Sequence, residues 1–168
     1  PYECYWEDSI LTQEQERIFS NQWLGLGRSD RLENPGEYEV FELCGQALVL
    51  IRNQDKELRL YANTCRHRGA KLLDGTGQCQ AISCPFHGWT YSLDGNLKHA
   101  KTMAENSSFD FADNSLIEYK LNELQGFLFG FLGNTPTDLS NQLGNFSELH
   151  QPWSVSYTHL TLPTSVIV

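Results

Sequence analysis

The sequence predicts a mainly β, antiparallel domain behind a short N-terminal helical segment, and three observations carry that prediction. From Tyr38 onward apolar residues recur with a period near two, in short β-rich runs. Those runs are separated by Gly, Asp and Asn residues of the kind that close hairpins. Helical spacing is confined to a stretch near the N-terminus. There, Thr12 with Gln15 three positions on forms a capping-box pattern, and Ile18, Phe19, Gln22 and Trp23 follow at helical spacing. A helix is therefore expected over 12–23, ended by Gly25 and Gly27. Hairpin strands are expected at 38–44, 46–53 and 57–62, broken at Gly45 and at the polar Gln54, Asp55 and Lys56. Further strands are expected at 81–83, 89–93 and 97–99, the last two joined through Asp94 and Gly95, a pair suited to positive φ angles. The polar stretch 101–114 reads as a loop, and 116–121 and 126–132 as two closing strands.

Composition bounds what such a domain can do. A chain of 168 residues that is 40% apolar and 20% charged can build one core without a disulfide scaffold. Twelve Lys and Arg against 21 Asp and Glu leave a formal charge of −9, which argues against nucleic acid or an anionic membrane as partner. The longest apolar runs, 47–51 and 126–132, are far shorter than a bilayer span, and no basic-then-apolar signal sequence opens the chain. Five cysteines, an odd count at irregular spacing, suit a reducing compartment, so a cytoplasmic protein is expected. The expected organisation is a helical lead-in over 1–34, a compact β module over 35–134, the start of a linker over 135–153 and a tail over 154–168. Both ends read as cut. The chain starts at Pro1, and 156–164 (SYTHLTLPT) resembles a translated sequencing adapter, so the tail is expected to be non-native and no function is read from it.

The residues that carry chemistry form two pairs. Cys65-x-His67 and Cys84-x-x-His87 are separated by sixteen residues, each beside an expected strand. Two thiolates and two imidazoles are ligands for soft or borderline metals. Structural zinc in a Cys2His2 site is one reading, and four unrelated residues is another.

The surrounding residues fit something narrower. C-R-H-R-G at 65–69 and C-P-F-H-G-W at 84–89 resemble the two ligand loops of a Rieske [2Fe-2S] domain, in the version found in the large, catalytic subunits of Rieske non-haem iron oxygenases of the ring-hydroxylating type. The resemblance runs from Leu11 to about Trp153. It implies an antiparallel β-sandwich of the Rieske type, with Cys65 and Cys84 on one iron and His67 and His87 on the other. Replacing two thiolates by neutral imidazoles brings the oxidised centre close to neutral. An electron is then easier to add, and potentials rise to roughly −150 to +300 mV. Respiratory-type relatives add a cysteine in each loop and a hydroxyl near the sulfurs. Here Ala70 and Phe86 occupy the cysteine places and Trp89 the hydroxyl's, and Cys79 is not positioned to substitute, so the lower end of that range is expected.

Other residues near the loops have plainer readings beside the functional ones. Gly69 and Gly88 serve either close backbone approach to the cluster or simple turn geometry. Arg68 reads first as a surface salt bridge, and second as a contact to a partner's acidic face. Trp89 and Tyr91 read as core packing, with Tyr91 a secondary candidate for a hydrogen bond towards the cluster region. Cys4, Cys44 and Cys79 read as ordinary thiols.

Oxygen activation in that family needs a second, mononuclear Fe(II) in a 2-His-1-carboxylate site. The remaining His99, His150 and His159 are too widely spaced to supply it, so that iron is expected only in a domain missing from this chain. The resemblance implies an NAD(P)H-dependent reductase or a ferredoxin as electron donor, a homotrimer when full length, and an aromatic or quaternary-ammonium substrate. A free-standing Rieske ferredoxin is the alternative. It is disfavoured by the helical lead-in and by the closing segment 124–132 (LQGFLFGFL).

Overall fold

The computed structural model describes residues 2–101, 103 and 108–150. The segment 151–168, with Trp153, His159 and the expected non-native tail, lies outside the described residues, as does the side chain of Cys4. Helix α1 spans Asp8–Arg17, and a 3-10 turn follows at Phe19–Asn21. The helix thus begins four residues earlier than the capping pattern predicts. Thr12 is interior, its hydroxyl donating to the Asp8 carbonyl, and Glu7 stands at the cap without a side-chain bond. It also stops well short of Trp23. That residue is drawn into tertiary contacts, its indole N–H donating to Thr137 O at 2.7 Å and its ring packing on Phe131. Gly25 and Gly27, expected to end the helix, lie inside the next strand.

Among the described residues ten strands follow in two sheets. They are β1 (Leu24–Arg28), β2 (Glu37–Leu43), β3 (Gln46–Arg52), β4 (Leu58–Ala62), β5 (Thr76–Gln78), β6 (Ile82–Ser83), β7 (Thr90–Tyr91), β8 (Leu97–His99), β9 (Glu118–Leu124) and β10 (Phe127–Phe131). The larger sheet has the order β1-β10-β9-β4-β3-β2-β5, the smaller β6-β7-β8, and every pairing is antiparallel. Strands β1 and β5 escape the sequence reading because neither has a strand's composition. LGLGR carries two glycines, and TGQ is three exposed residues on an edge. The turn between β7 and β8 needs a positive φ at Gly95 only, not at Asp94. Helices α2 (Leu139–Leu143) and α3 (Phe146–His150) close the described chain.

The apolar run in β3 is continuous rather than alternating because both faces of this central strand are covered. Val49 and Ile51 join Tyr61, Ile82, Trp89 and Tyr91 in the cluster between the two sheets. Leu48 and Leu50 join Leu26, Leu60 and Leu128 on the opposite face. Full burial of one such aliphatic side chain contributes about 1.5–3 kcal/mol. A third cluster, Trp23, Phe129, Phe131 and Leu139, fixes the N-terminal segment and α2 to the end of the larger sheet.

Candidate metal centre

The two ligand-bearing loops hang from different sheets. Loop 65–70 follows β4 of the larger sheet, and loop 84–89 connects β6 to β7 of the smaller one. Their backbones close alike. Cys65 N donates to Ala70 O at 2.8 Å and Gly69 N to Cys65 O at 2.9 Å; Cys84 N donates to Trp89 O at 2.8 Å and Gly88 N to Cys84 O at 3.1 Å. Each loop reverses through a left-handed glycine, with φ of +72° at Gly69 and +68° at Gly88. A Cβ would come within 4 Å of no protein atom at Gly88, and at Gly69 it would meet only Thr64 Cγ2, at 4.0 Å. Turn geometry, not protein crowding, therefore calls for these glycines.

All four sequence-predicted ligands line one cavity of about 520 Å³, together with Arg68, Lys71 and Phe86. The cysteines are buried, while His67 is half-buried and His87 exposed. The two imidazoles stand 4.7 Å apart between centroids, edge to face. Burial first, then His87 and Arg68, push the His67 imidazole below its ordinary pKa, which favours the neutral ring that a metal needs.

The donor set fits a two-metal group. His67 Nδ1 is buried and has no hydrogen-bond partner, an expensive arrangement for a polar atom unless a ligand completes it. Among the described residues no three His, Cys, Asp or Glu side chains surround a single ion position, whereas tetrahedral zinc would take all four ligands on one point. Two pairs about a shared cavity suit a group that asks for two protein ligands per metal.

Residues outside the motif hold this arrangement. Tyr91 on β7 is fully buried, and its hydroxyl lies 3.4 Å from Cys65 Sγ while accepting from Arg66 N at 3.0 Å. It therefore both packs the core and bonds the first loop. Burial chiefly, and the Cys65 contact next, raise the phenol's pKa well above its ordinary value. Trp89 stacks flat on His67 at 4.9 Å and 9°, and Phe109 meets the indole edge-on at 5.6 Å. Asn63, not singled out in the sequence, is fully buried and pins the far end of the first loop. Its Nδ2 donates to Leu73 O at 2.8 Å and its Oδ1 accepts from Leu73 N at 3.0 Å. Only its place two residues before Cys65 at a strand end hints at that role.

Two plainer readings are also settled. Arg68 forms no salt bridge among the described residues; the one acid between β4 and β5, Asp74, is paired with Lys71. Cys44 and Cys79 are half-buried free thiols, and burial raises both pKa values.

Residues 22–120 match the Rieske [2Fe-2S] domain family. The carnitine monooxygenase oxygenase subunit of Escherichia coli K12 is 35% identical over 85% of this chain and 38% of its own length. The benzene 1,2-dioxygenase α subunit of Pseudomonas putida is 29% identical over 83% of this chain and 32% of its own. The solved apo structure of a quaternary ammonium Rieske monooxygenase superposes with a TM-score of 0.85 at 35% identity, covering 90% of this chain and 45% of that one. The chain thus spans less than half the length of these relatives. It belongs to the Rieske [2Fe-2S] domain family, in the form carried by the N-terminal part of Rieske non-haem iron oxygenase α subunits.

Proposed function

We propose that this chain is the electron-transfer portion of an oxygenase, and that Cys65, His67, Cys84 and His87 hold its cluster, the thiolates on one iron and the imidazoles on the other. The observation that carries this reading is the convergence of the four side chains on one cavity, with the buried Nδ1 of His67 left for a ligand. A [2Fe-2S] group bound there supplies one-electron uptake and release. The protein's own contribution is positional. Buried thiols sit beneath a rim of imidazoles, Trp89 fixes the plane of His67, and Tyr91 ties the first loop to the smaller sheet. Exposed His87 with half-buried His67 forms the natural exit for an electron.

The whole enzyme is read as a monooxygenase of small quaternary-ammonium carboxylates rather than an aromatic-ring dioxygenase. Support comes from the higher identity to the carnitine monooxygenase subunit, 35% against 29% for the benzene enzyme. Its mononuclear iron, its reductase or ferredoxin donor, its trimeric assembly and a cytoplasmic location complete the reading. No helix among the described residues is long and apolar enough to cross a membrane.

Anaerobic reconstitution with iron and sulfide tests the core of this. A red-brown protein is expected, and on reduction a rhombic electron paramagnetic resonance signal with the low average g of mixed His and Cys ligation. Mössbauer spectra should show two inequivalent ferric sites. A colourless protein that takes up only zinc would end the proposal.

A further inference from the structure

We propose that Phe109 is a positioning residue for the metal centre: it holds the Trp89 indole against His67 and so fixes the plane of that imidazole. The proposal rests on the ligand assignment above and adds a residue outside both ligand loops. The two imidazoles are held unequally. His67 has the Trp89 indole stacked flat on it, at 4.9 Å and 9°. His87 is exposed, and its ring contacts among the described residues are His67, edge to face at 4.7 Å, and a tilted Phe86 at 6.4 Å. Trp89 ends the second loop and His67 lies in the first, so this stack crosses from one sheet to the other. What holds the indole therefore decides how firmly His67 is held. Trp89 is 2% exposed, yet its buried Nε1 has no hydrogen-bond partner among the described residues. With no polar bond to set the side chain's orientation, ring contacts must set it. Phe109 supplies one, edge to face at 5.6 Å and 78°, and Phe111 backs Phe109 in the same manner at 5.3 Å and 83°.

Both phenylalanines come from the polar stretch that the sequence reads as a plain connecting loop, and the structure ties that stretch down. Asp110 Oδ1 accepts from Ala112 N at 2.8 Å, and Asn114 Nδ2 donates to Asp110 O at 2.7 Å. Leu116 N donates to Gly95 O at 2.8 Å, in the β7–β8 turn. Phe109 and Phe111 are half-buried against the hydrophobic cluster between the sheets. A row of four rings, His67, Trp89, Phe109 and Phe111, thus runs from the cavity wall to an anchored segment. Groups packed behind a metal ligand orient it and tune the metal it holds. Phenylalanine has no polar side-chain atom, so Phe109 acts on His67 only by holding the indole in place. All four rings belong to one chain, so the effect is present in a single copy.

The test is pulsed electron paramagnetic resonance of the reduced, cluster-loaded chain, which resolves a nitrogen coupling from each ligating imidazole. Iron content, spin quantitation and denaturant unfolding are measured in parallel. Phe109→Leu keeps the apolar bulk and removes the ring. Displaced orientations of His67 should then be populated about two- to tenfold more, the factor that an edge-to-face ring pair contributes. One of the two nitrogen couplings should spread while the other stays as in the wild type. Phe109→Tyr keeps the ring and should keep both couplings. In cluster-loaded Trp89→Leu the same coupling should spread, and adding Phe109→Leu should change nothing further, because Phe109 acts through the indole. Two unchanged couplings in fully loaded Phe109→Leu would overturn the proposal. So would an equal change in both couplings, or an additive effect in the double variant, since either assigns Phe109 to general packing. If Phe109→Leu takes up no cluster, Phe109→Tyr decides: full loading there upholds the need for a ring, and equal loss overturns the proposal. Absence of any two-nitrogen signal in the wild type would instead remove the ligand assignment beneath it.

Discussion

Replacing Tyr91 by Phe removes a single oxygen from a fully buried ring and should lower the reduction potential of the loaded domain. The direction follows from hydrogen-bond bookkeeping. Arg66 N–H donates to the Tyr91 oxygen at 3.0 Å, so the phenolic proton is left for Cys65 Sγ at 3.4 Å. A metal-bound thiolate has no proton of its own and can only accept. Hydrogen bonds to charged groups contribute about 1.5–3 kcal/mol. Taking about 1 kcal/mol of that as the extra gain when one more negative charge arrives, and 59 mV per tenfold for a one-electron couple, the variant should fall by about 40 mV. Spectroelectrochemical titration at one pH reads the shift, and spin quantitation of the reduced signal confirms that the cluster is retained. A midpoint unchanged within about 10 mV in a fully loaded variant would show that the hydroxyl does not donate to the sulfur.

Cys84→Ser should lose the visible colour and most bound iron and sulfide, because a buried serine hydroxyl replaces a thiolate at the floor of the cavity. Asn63→Ala should cost about 2–3 kcal/mol in denaturant unfolding, since it strands both backbone groups of Leu73. Glu37 accepts from Asn34 Nδ2 at 2.8 Å and from the Asn34 and Glu33 N–H groups at 2.9 and 2.7 Å, and these bonds, the Asn34 side chain first, hold its pKa below the ordinary carboxylate value. The folded protein thus binds that proton less tightly than the unfolded chain. Its stabilisation is complete above the ordinary carboxylate range and fades as pH falls through the lowered value, so the gap in melting temperature between wild type and Glu37→Gln should close in acid. Chelating the metal from the loaded domain should lower the melting temperature and speed amide exchange first in loops 65–70 and 84–89.

The loops were legible because ligand chemistry constrains residue type and spacing at once. Cys65, His67, Cys84 and His87 converge where their motif implies. The hairpin strands around Val49 and Tyr61 were legible too, since a half-buried sheet writes its period into the chain. What escaped reading depends on contacts distant in sequence. Trp23 belongs to a helical pattern locally, but Thr137, Gln142 and Phe131 claim it, and the helix ends before reaching it. β1 pairs with β10 across about a hundred residues, which supplies a strand that its two glycines argue against. Asn63 carries no motif at all, because its role is that of a backbone amide borrowed by Leu73.

Suspending the two loops from separate sheets has a mechanical consequence. The larger sheet carries Cys65 and His67, the smaller carries Cys84 and His87, and apart from the loops the sheets meet through the cluster of Val49, Ile51, Tyr61, Ile82, Tyr91, Leu93 and neighbours. A bound group with one sulfur ligand and one imidazole from each loop would bridge them as a crosslink does, and the spacing of its ligands is fixed by how that cluster packs. Two further ties set the same spacing from behind. The Tyr91 hydroxyl reaches from the smaller sheet to the first loop, and Asn53 Nδ2 donates from the end of β3 to Asp94 in the β7–β8 turn at 2.9 Å. Small displacement of atoms on electron transfer requires a site whose ligands are already held in place. Here that rigidity comes from a hydrophobic layer and two polar ties supplied by Tyr91 and Asn53, neither of which is a ligand residue. The motif specifies which metal group can bind, and the packing between the sheets specifies how little the protein moves when the electron arrives.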